Sequence, residues 1–364
     1  MRMYGIAALA ATIVLGAGSI APVQADTSTT ALLPFDGNGG WINSPPLKPS
    51  DLSGKVVLVD FWEYTCINCL RTLPYLQAWY QRYHDDGLVI IGVHTPEFGF
   101  SGDSSNVQDA VKRLGVTWPV VLDPDYTLFK RYQSSGWPTE FLFDQSGKLV
   151  ELQNGEGGYQ DTEAKIQSLL RASNPSLQLP AVMALLPQDN YTKPGSVCYP
   201  QTPETFVGPW RGQNIANPPD GRDPSGALIF SDSANATHQD GKLYLQGYWN
   251  ESPQDQGMIS GDGNGYVSLI YQAIQVVAVL KNENGGSVRV NVTEDGKPVP
   301  RGDAGSDVQF DASGNSFVTV DAPRAYDLLM NKHYGKHELR LLPTKYGVGI
   351  YSFDFESCVV GSDT

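Results

Sequence analysis

Basic residues are few in this sequence of 364 residues, and long hydrophobic runs are absent after its N-terminus. Its 25 Lys and Arg residues are outnumbered by 39 Asp and Glu residues, which gives a net charge of −14. Because binding to nucleic acid and to anionic lipid depends on clustered positive charge, we expect neither partner. The longest later apolar segment, Ser268 to Leu280, contains Gln272 and Gln275 and is too short to span a bilayer.

The first 25 residues have the pattern of a secretory signal peptide. Arg2 supplies a positive start, residues 6–20 are uncharged, and Val23-Gln24-Ala25 ends in the small residue that signal peptidase prefers. The alternative, a membrane anchor, is disfavoured because the run is shorter than the ~20 residues that cross a membrane. The sequence therefore predicts a cleaved signal peptide at 1–25 and a periplasmic or secreted protein in an oxidising compartment.

Residues 26–172 alternate between strand and helix patterns. Apolar β-branched runs predict strands at 55–62, 88–93 and 119–122, and helical periodicity follows the first two. A turn at Gln145-Ser146-Gly147 predicts a hairpin, and residues 162–170 a closing helix. The order βαβαβ followed by ββα predicts an α/β domain.

The second half of the chain has a different composition. Residues 173–200 are interrupted by prolines and predict a linker or a wrapping arm. Residues 201–364 contain short strand-like runs separated by Gly, Asn and Asp, without helical periodicity. This pattern predicts an all-β sandwich domain.

Two of the four cysteines form the motif Cys66-Ile67-Asn68-Cys69, where a strand pattern gives way to a helix pattern. The free N–H groups and the dipole of a helix N-terminus favour a thiolate, so Cys66 is the predicted nucleophile with the lower pKa, and Cys69 the resolving thiol. Half of a zinc site is the alternative. It needs a second ligand pair, which neither the isolated Cys198 and Cys358 nor the five histidines provide, and we predict no metal and no other cofactor.

The residues around this motif resemble thioredoxin-fold proteins of the TlpA and DipZ type. The resemblance is carried by 59–69, by Pro74, by Gly136-Trp137-Pro138-Thr139, and by 92–98 and 111–116. Residues from Thr202-Pro203-Glu204 onward are similar to the jelly-roll, carbohydrate-binding-module-like domain that follows in the DipZ family. That family carries an N-terminal CcdA-like membrane domain, where this chain has the predicted signal peptide, so the resemblance implies a membrane thiol reductant on another chain.

The resemblance also implies roles for individual residues. Pro138 is expected to be the cis proline beside Cys66, and the backbone of Trp137 an edge for an extended substrate segment. Asp60 corresponds to the acid that exchanges a proton with the resolving thiol, which burial suits by raising its pKa; an ordinary structural acid is the alternative. The aromatic residues Trp62 and Tyr64 are further candidates for substrate binding.

The chain departs from the TlpA pattern at Thr72, where many members have a glutamate. Glu63 and Glu97 are candidates to replace it in a proton relay, although most glutamates are merely solvated. Ile67-Asn68 replaces the Gly-Pro of thioredoxin, so the reduction potential cannot be transferred from it.

The β-rich domain contains two further features. Cys198 and Cys358 bracket it and are predicted to form a structural disulfide; two unpaired thiols, or a pair that exchanges with Cys66, are the alternatives. Its aromatic residues are candidates either for a surface on which a sugar stacks or, as is commoner in β-sandwiches, for the core of the domain. They are Trp210, Tyr248, Trp249, Tyr266 and Tyr271.

These features predict a thiol-disulfide oxidoreductase, most simply a reductase of disulfide-containing proteins. A peroxiredoxin-type thiol peroxidase is an alternative, but it needs a threonine three residues before the reactive cysteine, where this chain has Glu63. A third hypothesis is a cell-wall protein that binds glycan and carries an accessory thioredoxin domain.

Overall fold

The computed structural model describes residues 31–360 except 38, 188, 190–195, 209–210, 212–213, 234–235 and 253. The predicted signal peptide at 1–25 lies outside the described residues, as does Trp210. Within the described part of the chain, no helix is both long and apolar enough to cross a membrane.

The N-terminal domain is a six-stranded sheet flanked by helices. The strands are β1 (Trp41–Ile42), β2 (Val56–Trp62), β3 (Leu88–His94), β4 (Val120–Leu122), β5 (Thr139–Phe143) and β6 (Leu149–Asn154). The helices are α1 (Ile67–Tyr83), α2 (Ser104–Arg113), α3 (Thr127–Tyr132) and α4 (Tyr159–Ser173), with short 3-10 turns at Pro49–Leu52 and Gly99–Gly102. The strand order is β1-β4-β3-β2-β5-β6, with β2, β3 and β4 parallel.

This arrangement confirms the predicted α/β domain. All seven residues of β2 are buried, because helices cover both faces of the central strand. Strand β1 and helix α3 were not predicted, since two and six residues are too few to show a period.

The proline-rich segment is an arm that packs against the first domain. Five of its apolar residues lie against the core that contains α1 and α4: Leu177, Leu179, Met183, Leu185 and Leu186. The backbone N–H of Met183 donates to Glu163 Oε2 at 2.8 Å, and Gln167 Nε2 donates to the carbonyl of Pro180 at 2.9 Å. Of the two predictions for this segment, the wrapping arm describes residues 177–186 better than a free linker.

The C-terminal domain is built almost entirely from antiparallel strands, as predicted. They are β7 (Ser196–Cys198), β8 (Thr205–Phe206), β9 (Gly221–Arg222), β10 (Leu228–Phe230), β11 (Leu243–Ser252), β12 (Gly257–Ser260), β13 (Tyr266–Asn282), β14 (Val288–Glu294), β15 (Lys297–Pro298), β16 (Gln309–Phe310), β17 (Ser316–Val320), β18 (Arg324–Pro343), β19 (Val348–Glu356) and β20 (Cys358–Val360). Twelve of them form one hydrogen-bonded network, through which the long strands β13 and β18 run.

The ends of this domain are joined by a disulfide. Strands β7 and β20 pair with each other, and Cys198 lies directly opposite Cys358, to which it is bonded. The bond closes a loop with a sequence separation of 160 residues. Strands β7 and β20 form a separate two-stranded sheet beside the twelve-stranded network.

The aromatic residues of the β domain are divided between core and surface. Trp249 and Tyr271 are fully buried, so neither can stack on a sugar. Tyr248 is exposed and Tyr266 is half-buried. Of the two alternatives, the core role therefore describes Trp249 and Tyr271, whose rings fill the interior of the domain.

The two domains share one apolar core. The buried ring of Tyr351 of β19 packs against both Phe98 and Phe100, with ring centroids 5.7 Å and 4.9 Å away. Val277 and Val279 of β13 belong to the same apolar cluster as the inner face of α1. The β domain is thus packed against the side of the first domain from which α1 begins.

Candidate active site

Cys66 and Cys69 occupy the junction between β2 and α1. Cys66 is the N-cap residue of α1, and its Sγ accepts a hydrogen bond from the backbone N–H of Cys69 at 3.3 Å. The two Sγ atoms are 2.7 Å apart as free thiols. Cys66 is half-buried, whereas Cys69 is only 1% exposed. Only the first thiol is therefore accessible to a substrate.

The loop before β5 lies against the accessible thiol. The Trp137–Pro138 peptide bond is cis, and the carbonyl oxygen of Trp137 is 3.7 Å from Cys66 Sγ. The indole of Trp137 is half-buried and packs on Phe129, with ring centroids 5.2 Å apart. The backbone of Trp137 is thus held beside Cys66.

The pKa of both thiols is higher than that of a free cysteine. Burial is the main cause of the raised pKa of Cys66; the charges of Glu97 and Glu63 add to it, and the hydrogen bonds from Cys69 oppose it. Burial and the two acids therefore outweigh the influence of the helix N-terminus on this thiol. Burial raises the pKa of Cys69 further, well above the ordinary value, so Cys66 remains the thiol that ionises first.

Glu63 lies behind the active-site loop. Its Oε2 accepts hydrogen bonds from the backbone N–H groups of Thr65 at 2.6 Å and Cys66 at 3.1 Å, and also from the Thr65 hydroxyl. Burial, followed by the charge of Glu97, raises the pKa of Glu63 to about 7. The carboxylate therefore supports the loop and places a charge close to Cys66.

A buried histidine faces this glutamate. His94 Nε2 at the end of β3 is 3.8 Å from Glu63 Oε1, and its ring stacks on Tyr64 with centroids 5.4 Å apart. Burial lowers the pKa of His94 to about 3, so the imidazole is neutral. Sequence reasoning assigned no role to His94, because its neighbour Glu63 lies 31 positions away on a different strand.

Two carboxyl groups lie beneath Cys69. Asp60 of β2 is the direct cross-strand partner of Glu140 of β5, and they are 1% and 3% exposed. Burial raises the pKa of Asp60 to about 8 and that of Glu140 well above its ordinary value; the Asp60 charge adds to the latter. The charge of Asp60 also raises the pKa of Cys69. Sequence reasoning missed Glu140, although a charged residue within the apolar run Thr139–Phe143 was an available signal.

Residues of the β domain complete the surroundings of Cys66. A cavity of about 290 Å³ beside the thiol is lined by Glu97 and Trp137 from the first domain, and by Glu204, Arg211 and Asp354 from the second. Arg211 Nη1 lies 2.7 Å from Glu97 Oε1. Glu97 therefore lies near Cys66, where its candidate role in a proton relay would place it. Nothing in the sequence indicated that Glu204, Arg211 and Asp354 of the second domain lie there as well.

The predicted substrate-binding role of Trp62 and Tyr64 is not compatible with their positions. Both side chains are 1% exposed and belong to the apolar core with α1. Neither side chain offers a surface to a substrate, because Trp62 ends the fully buried strand β2 and Tyr64 lies in the buried turn that follows it. Across the described residues, no cluster of three or more potential ligands is placed to hold a metal ion.

Two family models match the chain, one for each domain. Residues 44–170 match the Redoxin family, and residues 202–355 match the family described as a thioredoxin-like C-terminal domain. Together they span the site from both sides, since Cys66 lies in the first match and Glu204 and Asp354 in the second.

Several known proteins are similar to the chain. DipZ of Mycobacterium tuberculosis is 32% identical over 323 residues, which are 87% of this chain and 41% of DipZ. The thiol-disulfide oxidoreductase ResA of Bacillus subtilis is 34% identical over 113 residues, covering 31% of this chain and 60% of ResA. A thiol-disulfide isomerase structure from Corynebacterium glutamicum is 25% identical, covers 39% of this chain and 97% of its own, and has a TM-score of 0.35.

The chain therefore spans less than half of the length of DipZ, but its match to DipZ runs through both domains. The cysteine pair lies within the residues that match the Redoxin family. The chain thus combines a domain that matches the Redoxin family with one that matches the thioredoxin-like C-terminal family, and it is similar to DipZ over both domains and to the thiol-disulfide oxidoreductase ResA over a shorter part.

Proposed function

We propose that the protein is an extracytoplasmic reductase of protein disulfides. The observation that carries this proposal is the pair of thiols at the start of α1, 2.7 Å apart, with Cys66 accessible and Cys69 buried beneath it. An accessible thiol can attack a substrate, and a buried neighbour within reach can release the resulting mixed disulfide.

The reaction has two exchange steps. The Cys66 thiolate attacks one sulfur of the substrate disulfide, forms a bond to it and expels the other sulfur as a thiolate, which takes up a proton. Cys69 then loses its proton and attacks Cys66 Sγ, which frees the second substrate thiol and leaves a Cys66–Cys69 disulfide. The protein is oxidised by two electrons and the substrate is reduced by two.

The surroundings of the thiols favour the reducing direction. A dithiol protein is a strong oxidant when its reduced form is stabilised, as a low thiolate pKa does. Here burial and the nearby acids raise the pKa of both cysteines, so the reduced form has no such stabilisation. This supports a protein that gives electrons to its substrates.

Neighbouring groups assist each step. The backbone of Trp137 lies beside Cys66 and offers an edge for an extended substrate segment. The carboxylate of Asp60 receives the proton that Cys69 releases, which its raised pKa of about 8 suits. Glu63 and Glu97 are proposed to tune Cys66 through their charges.

Location and electron supply are part of the same proposal. The signal-peptide pattern at residues 1–25 supports export, where the Cys198–Cys358 disulfide would persist. After each turnover the Cys66–Cys69 disulfide needs two electrons, which we assign to a membrane thiol reductant of the CcdA-like type.

Cysteine variants and a potential measurement test this function. Cys66→Ser is expected to abolish disulfide reduction, and Cys69→Ser to accumulate mixed disulfides that the double variant does not form. Among thioredoxin-fold proteins, reduction potentials extend from roughly −270 mV for thioredoxin to roughly −120 mV for DsbA, and the pair is expected toward the reducing end of this range; a value near that of DsbA would contradict the direction. Undiminished reduction by Cys66→Ser would refute the assignment of the nucleophile.

A further inference from the structure

The β domain lines one side of the site that contains Cys66, and contacts with the first domain hold it there. Arg71, one turn into α1 from the cysteine pair, donates to Gln275 Oε1 of β13 at 3.2 Å and lies 3.5 Å from Glu356 of β19. The packing of Phe98 and Phe100 on Tyr351 continues this contact as an apolar core. A substrate at Cys66 therefore meets residues of both domains.

The cavity beside Cys66 restricts the shape of that substrate. Its volume of about 290 Å³ lies at the lower end of the usual range for small-ligand sites, roughly 300 to 1,000 Å³. It is lined on one side by Cys66, Ile67, Asn68 and Trp137, and on the other by Glu204 and Asp354. A disulfide carried on an extended segment or a small molecule fits this space, and the flat surface of a folded protein does not.

The charges of the cavity are unbalanced. Glu97, Glu204 and Asp354 contribute three carboxyl groups, and Arg211 is the cation within the lining. Arg211 is engaged by Glu97 at 2.7 Å and lies over the ring of Phe206 at 3.7 Å. Within the described part of the chain, no ion pair is formed by Glu204 or Asp354. Both carboxyl groups therefore face the same space as the reactive thiol without a cation of their own.

The carboxyl groups of Glu204 and Asp354 also repel each other. Burial, followed by the charges of Asp354 and Glu97, raises the pKa of Glu204 to about 8. Burial and the Glu97 charge raise the pKa of Asp354 to about 7, against the opposing influence of Arg71 and Arg211. A positive group placed between them would relieve this repulsion, because an opposite charge within a few ångströms favours the ionised form.

From this arrangement we infer that the cavity selects disulfides that carry a cationic group next to the attacked sulfur, with Glu204 and Asp354 of the β domain as the specificity-determining residues. The inference rests on the proposed function and adds a substrate class to it. The ammonium or guanidinium group lies against the two carboxylates, while Cys66 Sγ bonds to the nearer sulfur and the farther sulfur leaves as a thiolate. The β domain thus acts in substrate recognition at the redox site.

Three small disulfides of similar size but different charge test this inference. The reduced protein is mixed with cystamine, 2-hydroxyethyl disulfide or dithiodiglycolate, which are cationic, neutral and anionic. Each rate constant is divided by that of dithiothreitol with the same compound, which removes the intrinsic reactivity of the disulfide. We expect a normalised preference of about tenfold or more for cystamine over the neutral compound, and a further loss for the anion.

Variants assign the preference to the two carboxyl groups. Glu204→Gln combined with Asp354→Asn is expected to reduce the ratio of cationic to neutral rates to within about twofold, whereas Asp109→Asn, an exposed carboxylate on α2, leaves that ratio unchanged. Should the double variant fold poorly, the wild-type protein provides a second measurement. Its preference for cystamine must fall as salt is added, because ions screen the attraction.

An experiment with two peptides distinguishes a protein segment from a small molecule as the source of the cationic group. Two disulfide-linked peptides differ only in Arg or Gln beside the cysteine; faster reduction of the Arg peptide indicates a protein segment, and a preference confined to cystamine indicates a small-molecule disulfide. Equal normalised rates for all three compounds and both peptides would overturn the inference and leave the reductase intact. Reduction of none of them above the level of Cys66→Ser would contradict the proposed function itself.

Discussion

Asp60 and Glu140 lie directly opposite each other on the adjacent antiparallel strands β2 and β5, and both are almost fully buried. Asp60 Oδ1 and Glu140 Oε1 have no hydrogen-bond partner within the described part of the chain. Two facing carboxyl groups in an apolar interior cannot both ionise without a large cost, so at least one of them holds a proton at neutral pH.

The pair predicts how stability depends on pH. The pKa of Asp60 is raised from 3.8 in the unfolded chain to about 8 in the folded protein, so between these values the folded state holds a proton that the unfolded state has released. The free energy of unfolding therefore falls as the pH rises through this window. Asp60→Asn is expected to flatten the fall and to add on the order of a few kcal/mol at pH 8.

Urea unfolding at pH 5 and pH 8, with the cysteines kept reduced, measures this effect. Glu140→Gln should act in the same direction, whereas Asp109→Asn on the surface should follow the wild type. Asp60→Asn should also slow the release of mixed disulfides, since Cys69 would lose its proton acceptor. A steeper decrease of the free energy of unfolding with pH in Asp60→Asn or Glu140→Gln would contradict the proton held by this carboxyl pair in the folded state.

Glu63→Gln is predicted to lower the pKa of Cys66. The substitution keeps an oxygen that can accept the backbone N–H groups of Thr65 and Cys66, but it removes a negative charge that raises the pKa of the thiol. Because the pKa of Glu63 is about 7, the wild-type carboxylate is ionised where Cys66 titrates. The expected outcome is a thiol pKa below that of the wild type, measured from the ultraviolet absorbance of the thiolate.

Glu97→Gln provides a matched comparison for this titration, because it removes a charge from the cavity side without touching the loop. It should lower the pKa of Cys66 in the same direction. An unchanged thiol pKa in both variants would show that burial alone sets it.

Arg71→Ala is predicted to weaken the contact between the domains. The guanidinium lies 3.0 Å from Glu156 and 3.5 Å from Glu356, and it is largely buried. Its loss leaves Glu356 of the β domain and Glu156 of the first domain without their cation and removes the hydrogen bond to Gln275, which costs about 3 to 5 kcal/mol for a buried pair. Thermal unfolding followed by circular dichroism measures the change.

Arg222→Ala is the control for this variant, because Arg222 pairs with Glu251 at the exposed surface, where an ion pair contributes under about 1 kcal/mol. Equal loss of stability in the two variants would count against a special role of Arg71 at the interface.

Loss of the Cys198–Cys358 bond is predicted to destabilise the β domain and to spare the redox pair. Closing a loop of 160 residues contributes about 4 to 5 kcal/mol in the chain-entropy model. The Cys198→Ala, Cys358→Ala double variant should unfold at lower urea concentration yet still reduce disulfides through Cys66. Mass spectrometry of peptides from unreduced protein checks the bond, and recovery of both residues as free thiols would disprove it.

Much of the fold could be predicted because its signals are local. The apolar run of β2, the helical spacing of α1 and the turn residues before β6 are each carried by neighbouring residues, so each can be recognised within a short window of sequence. The 20-residue strand β18 (Arg324–Pro343) lacks such a continuous signal. Its first part, Arg324–Lys332, is followed by Gly335 and two histidines, so the alternation that marks a strand is interrupted.

The candidate site could be predicted only in part, because sequence signals are local and the site is assembled from distant segments of the chain. The motif Cys66-Ile67-Asn68-Cys69, Asp60 and Pro138 were identified from spacing and resemblance, which involve neighbours in sequence. His94, Glu140 and Asp354 were missed, since their importance comes from residues 31, 80 and 288 positions away, at Glu63, Asp60 and Cys66 respectively.

The sequence by itself determined the alternating α/β pattern, the β-rich second domain and the position of the redox pair, because each is encoded in consecutive residues. Only the tertiary structure decided the surroundings of that pair. It buried Trp62 and Tyr64, placed Glu140 opposite Asp60 and brought Glu204 and Asp354 to Cys66. Burial and proximity between distant segments set the pKa and the charge of the site, and neither can be read from local order along the chain.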